Sequence, residues 1–239
     1  MLTALLVVLL LPFQTPPTPP VSREMLTRSA AELLEQFKNE KVFWRQFEIG
    51  RALAAANDRA AIAELEPWLK HEDRHLRGNA AFVVGRLGDP RGFETIADIL
   101  ADRSSRSEGQ GIPGGRWTVQ AQIRADRYYA AHLLGDLKDR RGVALLVPLL
   151  NDDDVGAVAP WSLAEIGDRR AIAPLIGQLS RDDPSGRVLA INALEKLNAR
   201  EALPTLRTLL QDLRRANFGE GTSVAEAARR AIAVLSQLP

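Results

Sequence analysis

Apolar residues recur along this chain in a pattern that repeats five times. The pattern can be aligned on one zero position in each unit: Ala56, Leu87, Leu137, Ile166 and Leu197. Apolar side chains also stand three and seven residues before zero, and six, nine and thirteen residues after it. The first set of offsets falls on one stripe of an α-helix, and the second set falls on one stripe of another helix. Each unit is therefore predicted to be a helix pair.

The spacing of the zero positions gives the period of the repeat. Successive zero positions are 31, 50, 29 and 31 residues apart, which indicates a period near 30 with one insertion. A short polar turn joins the two helices of a pair, and four of the five turns have an aspartate two residues after zero: Asp58, Asp89, Asp139 and Asp168. An aspartate there accepts hydrogen bonds from free N–H groups at the start of the second helix. The fifth turn has Ala199 instead.

The sequences at both ends of the repeat region are typical of helices that cap a solenoid. Ser29 with Glu32, and Ser223 with Glu226, match the capping box that opens a helix. The extra length falls at 102–123 and 213–222, and both insertions interrupt the step from one repeat to the next, so we expect them on the same edge. The predicted fold is an all-α, right-handed α-solenoid over 22–239. It has stacked antiparallel helix pairs, terminal capping helices and five repeats between about 40 and 213.

The turn sequences also carry a family resemblance. GDPRG at 88–92 and GDRRA at 167–171 each follow an Ala-rich helix and precede an apolar one. This arrangement resembles the HEAT-like repeats of phycobilisome lyases, over roughly 40–213. The resemblance implies that an arginine early in each first helix reaches the turn aspartate and builds a ladder. Arg77, Arg127 and Arg187 hold that position, and Gly156 replaces it in the fourth repeat.

Composition excludes several classes of partner and chemistry. Lys and Arg number 31 against 30 Asp and Glu, so the net charge of +1 gives no field that would gather nucleic acid. The chain has no cysteine, which excludes disulfides, thiolate zinc sites and thiol nucleophiles. We expect no nucleic-acid partner and no cofactor.

The N-terminus indicates export. Residues 1–13 are almost continuously apolar and lead into a proline-rich segment, as in the hydrophobic region of a signal peptide. The run is shorter than the roughly 17–25 residues that a membrane-spanning helix needs. We predict a signal peptide and proline-rich linker over 1–21, no stable membrane insertion, and a bacterial protein that is periplasmic or secreted. A disordered tail or a misassigned start is the alternative.

One motif suggests metal chemistry. His71, Glu72 and His75 match the H-E-x-x-H pattern, in which two histidines on one helix face bind zinc and the glutamate activates water. The motif falls at the junction of two repeats, where a hinge rather than a helix is predicted. A metal-dependent enzyme is therefore the alternative to a protein without catalytic activity.

HEAT-like enzymes provide two further comparisons. The di-iron hydroxylases with this scaffold hold metal through several His-Glu pairs. This chain has one such pair, because His75 and His132 are each followed by leucine. A HEAT-like oxidoreductase or lyase remains an alternative.

Two sets of residues are candidates for contact with a partner. An aromatic row, five residues before zero, contains Phe82, His132 and Trp161, with Tyr129 one turn away. The longer insertion contributes Arg103, Arg106, Arg116 and Trp117. The row is either an exposed binding patch or a surface covered by the insertion.

The second helices have a more apolar middle, Leu145, Pro148, Pro174 and Gly177, where the family's concave groove would lie. We predict a monomeric protein–protein interaction scaffold. A peptidoglycan or small-ligand binder is a further possibility.

Overall fold

The computed structural model describes residues 20–105, 118–218 and 221–237. They belong to two compact units, which divide between Asp139 and Arg140. No helix in the described ranges is long and apolar enough to cross a membrane. The predicted signal peptide, Arg106, Arg116 and Trp117 lie outside the described residues.

The first unit contains seven of the described α-helices. They are α1 (Arg23–Leu26), α2 (Ala30–Asn39), α3 (Phe43–Ala56), α4 (Ala61–Leu65), α5 (Arg74–Arg86), α6 (Pro90–Ala101) and α7 (Val119–Leu137). A 3-10 helix, Glu66–Lys70, extends α4. Helix α5 packs against α3, α6 and α7, so it lies at the centre of this unit.

The second unit contains the remaining described helices. They are α8 (Gly142–Leu146), α9 (Ala159–Ile166), α10 (Ile172–Gln178), α11 (Pro184–Lys196), α12 (Leu203–Thr208) and α13 (Val224–Ser236). Short 3-10 helices follow α8 at Val147–Leu149 and precede α10 and α12 at Arg169–Ala171 and Arg200–Ala202. Helix α11 packs against α9, α10 and α13.

The core of both units follows the apolar pattern read from the sequence. Three residues before zero, every side chain is buried: Leu53, Val84, Leu134, Leu163 and Leu194. Nine residues after zero, every side chain is again buried: Leu65, Ile96, Leu146, Leu175 and Leu206. Each such side chain stabilises the fold by about 1.5–3 kcal/mol. The predicted helix pairs are confirmed.

The first helix of each pair ends in the same backbone conformation. The residue directly after zero is left-handed in every turn, with φ of 54°, 89°, 58°, 74° and 53°: Asn57, Gly88, Lys138, Gly167 and Asn198. This conformation turns the chain sharply at a helix C-terminus and suits glycine or asparagine. Lys138 adopts it at a cost of about 1–2 kcal/mol.

The predicted caps are present. Asp89 accepts a hydrogen bond from the Arg91 N–H at 2.9 Å, and Asp168 accepts one from the Arg170 N–H at 2.9 Å. The capping boxes of α2 and α13 are also formed. These local predictions succeed because each depends on residues only two or three positions apart.

Both insertions differ in detail from their predicted extent. Thr118 caps α7, whose first residue is Val119, so part of the segment predicted as 102–123 is helix. In the shorter insertion, Ala216 N–H donates to the Thr222 carbonyl at 3.0 Å, and Val224 N–H donates to the Arg214 carbonyl at 3.0 Å. Backbone hydrogen bonds therefore join the two ends of this loop.

Candidate functional site

A buried ion-pair cluster lies where α5 begins. We call Arg74, Asp102, Ser104 and Asp126 the Arg74 cluster. The Arg74 guanidinium contacts Asp102 Oδ2 at 2.6 Å and Asp126 Oδ2 at 3.0 Å. It also donates to the Ser104 carbonyl at 3.1 Å and to Ser104 Oγ at 2.6 Å. The Arg74 side chain thus joins α5 both to the segment that follows α6 and to α7.

The Arg74 cluster is stable only because its charges are paired. Arg74 is 6% exposed and Asp126 is 1% exposed, and an isolated charge at such burial is strongly unfavourable. Burial acts to raise the pKa of Asp102, but the N–H and hydroxyl of Ser104 together with Arg74 bring that pKa below its usual range. The cluster therefore fixes residues 102–104, at the base of the longer insertion, on the body of the unit.

An aromatic cluster lies beside these charges. The Phe43 ring stacks on the His75 ring with centroids 4.5 Å apart, and it meets the Tyr129 ring edge-on at 5.2 Å. Phe47 meets Phe82 at 5.1 Å. These contacts join α3, α5 and α7.

A chain of hydrogen bonds runs through the same helices. The Tyr129 hydroxyl donates to Asn79 Oδ1 at 2.5 Å, and Asn79 Nδ2 donates to Gln46 Oε1 at 3.0 Å. Gln46 Nε2 in turn donates to the Phe37 carbonyl at 3.1 Å. Burial raises the pKa of Tyr129 well above 10, so its hydroxyl stays protonated and acts as a donor. These groups hold α2, α3, α5 and α7 together.

The predicted aromatic row is not a single exposed patch. Phe82 is 4% exposed and packs against Phe47, so of the two alternatives given for the row, this residue follows the buried one. Tyr129, His132 and Trp161 are half-buried. His132 Nδ1 lies 3.0 Å from Asp136 Oδ2. Arg103 is exposed beside the Arg74 cluster.

The zinc-like motif forms a hinge, as predicted. His71 lies before α5 and accepts a hydrogen bond at Nδ1 from the Asp73 N–H at 3.0 Å, while His75 lies in the first turn of α5. The His71 ring stacks on the Trp68 ring at 5.2 Å. The two histidines therefore do not share one helix face. Among the described residues, no group of three or more His, Asp or Glu side chains is placed to hold a metal ion.

The arginine ladder differs from the one that the family resemblance implies. Arg77 donates to the His71 carbonyl at 2.9 Å and Arg127 to the Leu100 carbonyl at 3.0 Å, so both bind the end of the preceding repeat. Arg187 pairs with Asp212. Asp89 and Asp168 are reached instead by arginines within the turns.

The turn around Asp168 shows this arrangement best. Asp168 accepts hydrogen bonds from Arg140 Nε at 2.7 Å, Arg170 Nε at 3.1 Å and Arg170 Nη2 at 2.8 Å. Hydrogen bonds from Arg170 and then Arg140 hold the pKa of Asp168 far below its usual range. Arg169 pairs with Glu201 of the next turn. These ion pairs join successive turns within residues 140–237.

The second helices of residues 140–237 share an exposed surface made mostly of uncharged residues, with the exposed Arg207 of α12 at its side. We call six of its uncharged exposed residues the second-helix surface: Ala144, Pro148, Ala173, Gly177, Pro204 and Thr208. A methyl group added at Gly177 would meet no atom within 4 Å, so this position is open. The equivalent positions of α6 are the exposed acids Glu94 and Asp98. Of the four residues predicted as the apolar middle, Pro148 and Gly177 are exposed on this surface, whereas Leu145 and Pro174 are half-buried.

Comparisons with known proteins agree with this architecture. The family described as HEAT repeats matches residues 120–187, and the family described as PBS lyase HEAT-like repeat matches residues 187–212. Residues 120–212 are HEAT-like repeats. No curated protein sequence matches the chain.

Two solved structures are similar to these HEAT-like repeats and their surroundings. One is the complex of CpcE and CpcF of phycocyanin lyase from Nostoc sp. PCC7120, with 24% identity and a TM-score of 0.50 over 74% of this chain. This chain spans 66% of the length of that chain. The other is an engineered protein with 19% identity and a TM-score of 0.42, over 87% of this chain and 96% of that one. The first likeness shows the fold, an all-α structure of the solenoid class.

Sequence reasoning missed the Arg74 cluster. Arg74 and Asp126 are 52 residues apart, so no short spacing links them. Their positions give no common signal either, because Arg74 is the first residue of α5 and Asp126 lies in the middle of α7.

Proposed function

We propose that this protein is a non-catalytic scaffold, which binds a protein partner through the second-helix surface of residues 140–237. The observation that carries the proposal is the composition of that surface. It presents small, uncharged side chains from α8, α10 and α12 and from the 3-10 helix after α8, all exposed. The centres of protein interfaces are depleted in charged residues, and small side chains let a partner approach the backbone closely.

The remaining polar groups support a scaffold rather than an enzyme. Hydrogen bonds join the side chains of Tyr129, Asn79 and Gln46 to one another or to the backbone. The ion pairs of Arg74 with Asp102 and Asp126 hold together the base of the longer insertion. In each case the side chain stabilises the packing of the first unit.

The structural likeness to CpcE and CpcF supports a protein partner. That structure is a complex of two chains. We extend pairing with a second protein to this chain as part of the proposal. A lyase-type activity is the alternative, suggested by the match to PBS lyase HEAT-like repeats. Such an activity requires that the bound partner is covalently modified before it is released. The intact mass of the partner, measured before and after incubation, would show this change.

We further propose that the protein works outside the cytoplasm of a bacterium, on the evidence of the apolar run at 1–13. Expression of the full chain in a bacterial host tests this. Cell fractionation should recover a shortened chain in the periplasm or medium, and recovery of full-length protein in the cytoplasm alone would refute export.

Capture of a partner from envelope extract tests the proposed surface. Ala173→Glu places a charge on the second-helix surface, whereas Ala233→Glu makes the same change at an exposed position of α13. Both variants should retain the wild-type circular dichroism spectrum and melting temperature. We expect the wild type and Ala233→Glu to recover the same protein, and Ala173→Glu to lose it. Equal recovery by all three proteins would place the contact elsewhere.

A further inference from the structure

The shorter insertion contains a short extended segment, Leu213, Arg214 and Arg215, which we call the Leu213 edge. Arg215 forms an antiparallel bridge with Ser223. The residues on either side of Arg215 make the two hydrogen bonds of this bridge, each 3.0 Å long, from Ala216 N–H to the Thr222 carbonyl and from Val224 N–H to the Arg214 carbonyl. Backbone groups of successive residues in a strand point to opposite edges. The N–H and carbonyl of Arg215 therefore point away from Ser223.

The backbone on this outer side is unpaired. Within the part of the chain that the structure describes, neither the N–H nor the carbonyl of Arg215 has a hydrogen-bond partner, and the same holds for Leu213. Both residues are exposed, so their backbone groups face solvent. A strand edge with unpaired N–H and carbonyl groups is a template on which another chain can pair.

Leu213 adds an apolar side chain to this edge. It is 72% exposed, more than any other large hydrophobic residue that the structure describes. It lies two residues before Arg215, so the two side chains share one face of the extended segment. The equivalent position, sixteen residues after zero, is charged and exposed in the other four repeats: Glu72, Arg103, Asp153 and Asp182. The repeat itself therefore does not require a leucine here.

Hydrogen bonds hold the segment in place at both ends. At its start, Asp212 accepts from Arg214 Nε and Nη2, both at 2.9 Å, and the Asp212 carbonyl accepts from Ala225 N–H at 2.9 Å. Beyond its end, Asn217 N–H donates to Ser185 Oγ at 3.0 Å. A segment that is already ordered loses less conformational entropy when it binds a partner.

We propose that the Leu213 edge binds an extended segment of another protein as an added strand. The backbone of that segment pairs with the N–H and carbonyl of Arg215, and one of its apolar side chains covers Leu213. A second copy of this chain is a poorer occupant, because pairing two such edges brings both Arg215 side chains to the same face, where like charges repel. The inference goes beyond the proposed function and does not depend on it, since no residue of the second-helix surface belongs to the Leu213 edge.

NMR titration with two methylated peptides tests the backbone pairing. Both peptides alternate valine and threonine over about eight residues with a lysine at each end, and they carry N-methyl groups on either the threonines or the valines. When the valines face Leu213, their N–H groups point to the edge and the threonine N–H groups point away. We expect the threonine-methylated peptide to shift the amide signals of Leu213 and Arg215 and to slow hydrogen exchange at Arg215. The valine-methylated peptide should do neither, and equal effects of the two peptides would overturn strand addition.

A matched pair of leucine substitutions locates the site. Leu213→Asp introduces the residue type that the equivalent position has in two other repeats, so it should keep the wild-type circular dichroism spectrum and melting temperature. Leu26→Asp makes the same change at another exposed leucine, which is 54% exposed in α1. We expect Leu213→Asp to weaken binding of the threonine-methylated peptide by about fivefold or more and Leu26→Asp to leave it unchanged. Equal affinities of the two variants would refute the site.

Two further measurements test the occupant and the location. Analytical ultracentrifugation of the full chain at the titration concentration should show a monomer, and a dimer that the peptide dissociates would mean that the edge binds a second copy, which overturns the choice of a partner segment. Ala173→Glu should bind the peptide as tightly as the wild type, because position 173 lies on the second-helix surface. Weaker binding by that variant would contradict the assignment to the Leu213 edge.

Discussion

Removal of Arg74 should destabilise the first unit far more than removal of a surface arginine. Arg74→Met keeps the length of the side chain but removes the guanidinium that lies 3.0 Å from Asp126, whose side chain is 0% exposed. Breaking a buried ion pair in this way costs about 3–5 kcal/mol. For a chain of this size, each kcal/mol lowers the melting temperature by about 2–4 °C. We therefore expect the melting temperature of Arg74→Met to be about 6–20 °C below that of the wild type.

A double variant separates charge burial from packing. Arg74→Met with Asp126→Leu removes both charges, so most of the lost stability should return. Arg169→Met is the control, because the Arg169–Glu201 pair is more than half exposed and contributes about 0–1 kcal/mol. Urea unfolding followed by circular dichroism gives the free energies. If Arg74→Met costs no more than Arg169→Met, the structural role given to the Arg74 cluster is wrong.

Three other predictions address packing, acid stability and metal. Gly92→Ala would place a methyl group 2.3 Å from backbone atoms of α5, so it should lower the free energy of unfolding in urea by about 1–3 kcal/mol. At Gly177 an added methyl group meets no atom, so Gly177→Ala should raise that free energy by about 1 kcal/mol. Equal effects of the two variants would contradict the close contact between α5 and α6. Hydrogen bonds from Arg214 lower the pKa of Asp212 to about 2, below the usual value near 3.9, so its contribution to stability is complete above about pH 4 and is lost as pH falls to 2. The stability difference between wild type and Asp212→Asn should shrink across that window, and a difference that stays constant would refute the linkage. Elemental analysis of the purified protein should show no stoichiometric zinc or iron, and metal that is lost on changing His71 or His75 to alanine would favour the enzyme alternative.

The regular part of the fold could be predicted from the sequence because it depends on periodicity. Offsets of three, four and seven residues fix which side of a helix is buried, and positions such as Leu163 and Leu194 are buried as expected. The helix caps could be predicted equally well, since Ser223 and Glu226 are three residues apart.

Contacts between segments that are distant in the sequence could not be predicted in the same way. Arg74 and Asp126 meet only after α5 and α7 have packed together, and their separation of 52 residues carries no periodic signal. Whether Phe82 is exposed or buried stayed open at the level of sequence for a related reason. Helical spacing places it away from the main apolar stripe, but α3 covers that side and buries it against Phe47. The left-handed turn at Lys138 was hidden because lysine gives no conformational signal there.

The Arg74 cluster has a consequence for how this protein can be altered. Because Ser104 and Asp126 bind the same guanidinium, the two ends of the longer insertion are joined independently of the residues between them. When the ends of a loop are already held together, doubling its length costs only about 0.6 kcal/mol. Foreign peptides of different lengths could therefore be grafted between residues 105 and 118 without loss of the helical body.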